Sequence, residues 1–211
     1  MTAAAALAGV LALVAGFSDG VAYLRWHEFA ANQTGNTVLL GLAAYRHDWP
    51  TALRVFGSIV SLLLGAGVAA ALRTRFPPLV PLLLEAALLA GASFAERHSF
   101  QLDLVAFAMG VQNQALTTFA GLRLNTSFIT GNYAQLGSTF ADLVFGQPGT
   151  QRGRRIAILV TLVFAYAVGG ASAAFSNERL PHGLLVIAVI VVALACVVHR
   201  ARVGVQPASQ A

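Results

Sequence analysis

Six long apolar runs are the feature that most limits how this chain of 211 residues can fold. A helix needs about 20 apolar residues to cross a bilayer, because each residue adds about 1.5 Å against roughly 30 Å of hydrocarbon. The runs that meet or approach this length are 2–24, 51–72, 79–95, 102–120, 155–175 and 182–200. The sequence therefore predicts an all-α integral membrane protein with about six transmembrane helices.

The composition excludes several other classes of protein. Hydrophobic residues make up 57% of the chain and charged residues only 10%, whereas soluble domains carry about 25% charged residues. The net charge of +5 comes from scattered arginines, which argues against a nucleic-acid partner, and Cys196 has no cysteine to pair with. The chain has no phosphate-binding loop, no paired histidines at metal-ligand spacing and no nucleophile elbow. We therefore expect no enzymatic activity, no cofactor and no metal site.

Two further segments are apolar but short. They are Thr34 to Tyr45, about 18 Å long as a helix, and Thr130 to Gly146, which carries several polar residues. A polar, irregular stretch precedes each of them, at 25–33 and 121–127. Irregular backbone is tolerated at membrane depth only where protein buries it or where it lines a wet cavity. Both segments are therefore predicted to be half-helices that do not cross.

The half-helices begin with the same tripeptide, which indicates an internal repeat. Thr-Gly-Asn occurs at 34–36 and 130–132, and three further pairs of segments follow in order: 16–19 with 110–113, 40–41 with 136–137, and 67–72 with 170–175. The offsets grow from 94 to 103, as insertions in loops would produce. The prediction is a tandem duplication with a first repeat at 1–100, a second at 101–203 and a polar tail at 204–211.

The number of crossings decides the symmetry of the repeats. If the short segments do not cross, each half has three crossings and the repeats are inverted, as in many transporters. If they do cross, the chain has eight crossings and the repeats are parallel. Cytoplasmic loops are enriched in arginine; a cytoplasmic N-terminus puts eight of the 13 arginines inside in either arrangement. The short length of the two segments favours six crossings, in an inner or plasma membrane.

The combination of Gly16-Phe-Ser-Asp19, the block from Phe29 to Gly41, Gly110-Val-Gln-Asn113 and the second Thr-Gly-Asn block resembles the YoaK family of bacterial transmembrane proteins, a domain of unknown function numbered 1275. The resemblance covers essentially the whole chain. It implies a roughly six-helix inner-membrane protein and implies no substrate.

The candidate site is formed by the two tripeptides. Thr34 and Thr130 are expected to cap the half-helices, while Gly35 and Gly131 allow tight turns and close approach. A helix N-terminus attracts anions through its unpaired amides and its partial positive charge. Inverted repeats would bring the two termini together near the bilayer midplane. The predicted central site comprises Thr34, Gly35, Asn36, Thr130, Gly131 and Asn132; the alternative is that these residues only cap and pack two short helices.

Acidic and amide side chains within the apolar runs are further candidates. Asp19 is a proton or cation site if it lies within the span, and is simply solvated or paired with Arg25 if it lies near the interface. Asn113 is its counterpart in the second repeat. Glu85 could be a proton relay, an interhelical hydrogen-bonding group or a misplaced helix boundary. We therefore add Asp19 and Asn113 to the predicted substrate site.

The function predicted from these features is that of a small secondary transporter or channel for a small polar or anionic solute. The site would lie between the repeats, and Asp19 would supply proton coupling. The alternative is a non-transporting scaffold, assembly factor or lipid-binding subunit. The bilayer and a small molecule or ion are the expected partners. A homodimer is compatible with so small a bundle, although no residue requires it.

Overall fold

The computed structural model describes residues 3–95, 98–119, 122–124, 126–127, 129–146, 152–180 and 182–201. The predicted tail, 204–211, lies outside this part of the chain. The described helices are α1 (Ala3–Trp26), α2 (Gln33–Tyr45), α3 (Trp49–Arg73), α4 (Leu79–Phe94), α5 (His98–Ala115), α6 (Ile129–Phe145), α7 (Arg152–Arg179) and α8 (Gly183–Ala201).

The helices confirm the all-α prediction with one departure. Four of them, α1, α3, α7 and α8, are long and apolar enough to cross a membrane, and α4 is a shorter apolar helix. The fourth predicted run, 102–120, is displaced, because α5 starts at His98 and ends at Ala115. After it, strand β1 (Thr118–Phe119) pairs antiparallel with β2 (Leu122–Arg123). A β-branched residue beside an aromatic one favours strand over helix, which explains the early end of α5.

Helices α1 and α7 pack closely because glycines stand where they cross. A methyl group on Gly16 would lie less than 3.0 Å from the backbone of Tyr166, and Gly169 has as little room against α1. Nearer the ends of both helices, Arg25 Nε donates to Asn177 Oδ1 at 3.2 Å. Later residues of α1 contact later residues of α7, so the two helices run in the same direction.

A second pair, α3 and α5, crosses in the same manner. A methyl group on Gly65 would lie less than 3.0 Å from the Phe107 carbonyl oxygen, and Gly110 is equally close to the backbone of α3. Farther along, Arg73 Nη1 donates to the Gln114 carbonyl oxygen at 2.5 Å. Helices α3 and α5 therefore also run in the same direction.

Helix α4 packs antiparallel to both α8 and α5. Its last turn lies beside the start of α8, where the rings of Phe94 and His182 are 5.1 Å apart and Ser93 Oγ lies 3.4 Å from His182 Nδ1. On the other side, Gln101 Nε2 donates to the Ala92 carbonyl oxygen at 2.7 Å. The end of α4 and the start of α8 thus lie at the same end of the bundle.

The short helix α2 ends in a tight turn that leads directly into α3. His47 has a left-handed backbone, with φ 56°, and the amides of His47 and Asp48 donate to the carbonyls of Ala44 and Ala43. This pattern of bonds is the Schellman motif that commonly ends helices. Asp48 then caps α3 by accepting from the Thr51 amide at 3.3 Å, and hydrogen bonds from the hydroxyl and the amide of Thr51 hold the pKa of Asp48 below its usual range. Helix α3 consequently folds back along α2.

Helix α6 packs on α7 as α2 packs on α3. Arg155, in the first turn of α7, donates to Gln135 Oε1 at 3.3 Å. Both short helices are therefore held against the long helix that follows them in the chain.

The outer faces of the long helices are apolar. Leu53 on α3 and Phe164 on α7 are each 69% exposed, and Val189 on α8 is 62% exposed. By contrast, 78% of an 18-residue apolar stretch of α1 is buried, against 28% of the corresponding stretches of α3 and α7. Helix α1 therefore lies inside the bundle, and the surrounding helices present their large apolar side chains outward, as expected of a surface in contact with lipid.

Candidate substrate site

The connector between α1 and α2, residues 27–32, turns back onto Asp19. One carboxylate oxygen, Oδ1, accepts from the amides of Ala31 at 2.6 Å and Asn32 at 3.4 Å, and the hydroxyl of Tyr166 donates to Oδ2. Asp19 is only 4% exposed. The alternative in which Asp19 is solvated or paired with Arg25 is therefore wrong: the carboxylate lies inside the protein and is held by uncharged donors.

Asn36 fastens the same connector to α2 and α3. Its Oδ1 accepts from the Phe29 amide at 2.9 Å, and its Nδ2 lies 2.6 Å from the Phe29 carbonyl oxygen. The same nitrogen is 2.9 Å from Gln33 Oε1 and 3.1 Å from Ser58 Oγ. Asn36 is completely buried, so its hydrogen-bonding capacity is used to hold the non-helical backbone of the connector.

The capping role predicted for the threonines is wrong. Helix α2 begins at Gln33 and α6 at Ile129, so Thr34 and Thr130 are the second residues of their helices, and the side chain of Asn32 before α2 makes no capping bond. The carboxylate of Asp19 accepts the Asn32 amide instead. The acceptor at the start of α2 is therefore a carboxylate from α1 and not a side chain of the helix start itself.

The remaining residues of the two tripeptides differ in their surroundings. A methyl group on Gly35 would lie 2.9 Å from the ring of Phe29, whereas one on Gly131 would meet nothing within 4 Å. Thr34 and Gly131 are exposed, and Asn132 is completely buried like Asn36. In each tripeptide it is the asparagine that faces the protein interior.

The second connector, between α5 and α6, is held by neutral side chains. Asn113 Oδ1 accepts from the hydroxyl of Ser127 at 3.3 Å. Its neighbour Gln112 is completely buried and donates to the carbonyl of Leu11 at 3.0 Å and to the hydroxyl of Thr126 at 3.2 Å. Both connectors therefore return to the polar residues near the end of the preceding helix.

A cavity of about 220 Å³ lies where the two short helices begin. It is lined by Asn32 at the start of α2, by residues around the start of α6, and by the middle of α7: Asn32, Ser127, Ile129, Thr130, Tyr133, Val163, Tyr166 and Ala167. None of these side chains is charged. The cavity could therefore hold a small polar solute among hydroxyl and amide groups.

Among the predicted site residues, only Thr130 lines this cavity. Asp19 and Asn113 are one hydrogen bond away, through Tyr166 and Ser127 respectively. Thr34, Gly35, Asn36, Gly131 and Asn132 are not among the lining residues. Sequence reasoning missed Tyr166 as a site residue; the available signal was a phenol in an apolar run that also contains no charge from 156 to 177.

Glu85 lies in the middle of α4, so a misplaced helix boundary does not explain it. Its side chain is completely buried, and the described residues supply neither carboxylate oxygen with a hydrogen-bond partner. The interhelical hydrogen bond considered for it is therefore not observed in this part of the chain. A proton-relay role stays a prediction.

A helical bundle with an apolar outer surface, helices of membrane-crossing length and polar groups gathered inside defines a multi-pass transmembrane protein. The chain belongs to the family described as protein of unknown function DUF1275, whose model matches residues 7–198.

Curated relatives agree with this class. The chain is 28% identical over 210 residues to UPF0700 transmembrane protein YoaK of Bacillus subtilis (strain 168), covering 91% of this chain and 93% of the relative. It is also 28% identical over 147 residues to UPF0700 transmembrane protein RA0705 of Rhizobium meliloti (strain 1021), covering 69% and 65% respectively. No solved structure matches the chain. The predicted family resemblance is confirmed.

Proposed function

We propose that this protein is a small secondary transporter or channel for a small polar or anionic solute, with its site in the cavity between the starts of α2 and α6. The observation that carries the proposal is that cavity, because a scaffold would need no space there. Polar groups inside a membrane protein usually serve function, since burying them is costly.

Six crossings with inverted repeats are part of the proposal, and the direction of the helices supports them. The end of α4 lies beside the start of α8. With six crossings these two points lie at the same membrane face, whereas eight crossings would put them at opposite faces.

The position of α2 supports the same topology. Trp26 at the end of α1, Arg46 just after α2 and Asp48 before α3 line one pocket. The chain therefore leaves α1 and completes α2 at the same end of the bundle, as a re-entrant half-helix does. A helix that crossed would carry Arg46 about 20 Å away.

The glycine crossings support a duplication. Gly16 faces α7 as Gly110 faces α3, and Gly169 faces α1 as Gly65 faces α5. The first helix of each half thus packs against the third helix of the other half. These contacts favour equating Gly65 with Gly169, an offset of 104, over the predicted match of Gly67 with Gly170.

The chemistry of the cavity selects the solute. Its hydroxyl and amide groups can donate to and accept from a polar solute, and the first turn of α6 at Ile129 and Thr130 offers backbone amides suited to a partial or full negative charge. Tyr166 lines the cavity and donates to Asp19. A proton entering the cavity would thereby reach the carboxylate through the phenol, which is the role proposed for Asp19 in coupling.

The proposal is tested by the wetness of the cavity. In a Cys196→Ala background, Ser127→Cys and Thr130→Cys should react with a charged, water-soluble thiosulfonate, and Phe164→Cys on the outer face of α7 should not. Reconstituted protein should also pass at least one of glycerol, urea, formate or nitrate faster than empty liposomes in stopped-flow light scattering. Unreactive cysteines at both cavity positions, together with no flux, would favour the scaffold.

A further inference from the structure

A second pocket lies at the end of the bundle where α1 and α2 stop and α3 starts. Its volume is about 280 Å³. Its polar lining is a mixture of both charges and neutral donors: His27, Glu28, Arg46, Asp48, Thr51 and Arg54. None of these residues lines the central cavity.

The centre of this pocket is a half-satisfied ion pair. Arg54 Nε lies 2.5 Å from Glu28 Oε1, and the side chain of Glu28 is 2% exposed while that of Arg54 is 33% exposed. The second oxygen, Glu28 Oε2, is buried without a hydrogen-bond partner among the described residues. Burial raises the pKa of Glu28, and the bond from Arg54 offsets only part of that rise. One carboxylate oxygen therefore lacks the donor that a buried anion needs.

Donors for an anion are present in the same pocket. In the described structure, Arg54 uses only Nε, which leaves the terminal nitrogens of its guanidinium without an acceptor. The Arg46 side chain is exposed and has no bonded acceptor in that part of the chain. Guanidinium groups bind carboxylate and phosphate oxygens in a bidentate manner.

In the other half of the molecule, the positions that correspond to Glu28 and Arg54 are occupied by uncharged residues. On the offset of 96 that aligns the tripeptides, Glu28 corresponds to Leu124, and on the offset of 104, Arg54 corresponds to Ile158. Both are buried apolar residues. Since buried ion pairs give little net stability over well-packed apolar residues, the fold does not require the charged pair.

We propose that this pocket is a second binding site, for a zwitterion that carries a protonated amine and a carboxylate or phosphate. The amine donates to Glu28 Oε2, and the acidic group is bound by Arg46 and the terminal nitrogens of Arg54. The equivalence of the two halves rests on the proposed repeats, whereas the unsatisfied oxygen and the two arginines do not. The same chemistry is offered by a free amino acid and by the headgroup of an aminophospholipid.

Thermal unfolding of the purified protein in detergent tests this site. Glycerophosphoethanolamine and glycine are the two probes, and glycerophosphocholine is the matched control because its quaternary amine has no N–H to donate. We expect a saturable rise in Tm with at least one probe and none with the control. A rise with glycerophosphoethanolamine alone assigns the site to a lipid headgroup, and a rise with glycine alone to a free zwitterion.

Two variants check which residues bind. Glu28→Gln, which preserves shape, and Arg46→Gln, which alters an exposed side chain, should each weaken the affinity for the active probe at least tenfold. Equal Tm rises with probe and control, no rise with either probe, or an undiminished rise in both variants would overturn the proposal. These outcomes leave the cavity-labelling and flux tests untouched, so the two proposals fail separately.

Discussion

Each of the two connectors that precede the short helices is hydrogen-bonded to a polar side chain of the preceding helix, but the side chains differ in charge. The first connector donates a backbone hydrogen bond to the carboxylate of Asp19 and contains Glu28, which forms an ion pair with Arg54. The second returns to the amide of Asn113 and is flanked by buried Leu124. The first connector is therefore held by a charged acceptor, and the described part of the second by neutral side chains. Because buried ion pairs add little stability over well-packed apolar residues, we expect that the ion pair of Glu28 with Arg54 is not needed for folding.

The largest effects are expected where the two halves are alike, at the glycine crossings. Gly16→Ala and Gly110→Ala each force a methyl group against backbone, and should destabilise the protein by about 2–3 kcal/mol or more. Gly67→Ala is the control, because nothing lies within 4 Å of that position. Thermal unfolding in detergent measures all three. Tolerance of the change at one crossing and not at the other would break the equivalence of the halves.

The next effect is at Asn36. Asn36→Ala leaves the partly buried amide and carbonyl of Phe29 without their partner, and should cost about 2 kcal/mol, at the low end of roughly 1–3 kcal/mol per unsatisfied group because both groups are only partly buried. Thr34→Ala, at an exposed position two residues earlier, should change stability by less than about 0.5 kcal/mol. Unfolding midpoints compare the two variants. Equal effects would mean that the Asn36 side chain does not hold the connector.

Replacing the ion pair by the apolar residues at the corresponding positions of the second half, Leu124 and Ile158, tests whether the charges are needed for folding. Glu28→Leu alone leaves Arg54 partly buried and unpaired, and should cost about 1–2 kcal/mol, a value reduced for the exposure of the arginine. The double variant with Arg54→Ile should recover or exceed the stability of the parent. Denaturation of the single and double variants decides this. A double variant weaker than the single one would show that the fold does need the pair.

The smallest structural effect is expected from Asp19→Asn, which gives the first connector the side chain of the second. The oxygen that accepts from Ala31 is kept, whereas the oxygen that accepts from Tyr166 is replaced by an NH2 group, at a cost of about 1 kcal/mol. The functional effect should be larger, because a solute flux driven by a pH gradient should lose its dependence on that gradient. Unchanged gradient dependence in a stable variant would remove Asp19 from proton coupling.

The sequence predicted the helices well and the hydrogen bonds poorly. Apolar length identifies the long helices because the bilayer fixes that length, and repetition of Thr-Gly-Asn located both short ones. The use of Asn36 and Asp19 to hold Phe29 and Ala31 depends on how the chain turns back at 27–32. Nothing in residue order alone specifies which polar side chain will accept a given amide.

The central cavity and the charged pocket could not be predicted for a related reason. Each is lined by residues distant in the chain, such as Asn32 with Tyr166, or Glu28 with Arg54. Tyr166 and Arg54 look like ordinary members of apolar runs, since one phenol or guanidinium among many apolar residues carries no spacing signal. Only the parallel packing of α1 on α7 brings Tyr166 to Asp19.

Labelling the ends of the two short helices shows whether both helices turn back inside the membrane. Tyr45 ends α2 and is 85% exposed, and Phe145 ends α6 and is 89% exposed. Each is replaced by cysteine in a Cys196→Ala background and labelled with a membrane-impermeant maleimide in intact and in permeabilised spheroplasts. Two half-helices that turn back from a shared cavity put the two positions on opposite faces, so Tyr45→Cys reacts from outside and Phe145→Cys only after permeabilisation. Labelling of both positions from the same face would rule out two half-helices that turn back in inverted repeats.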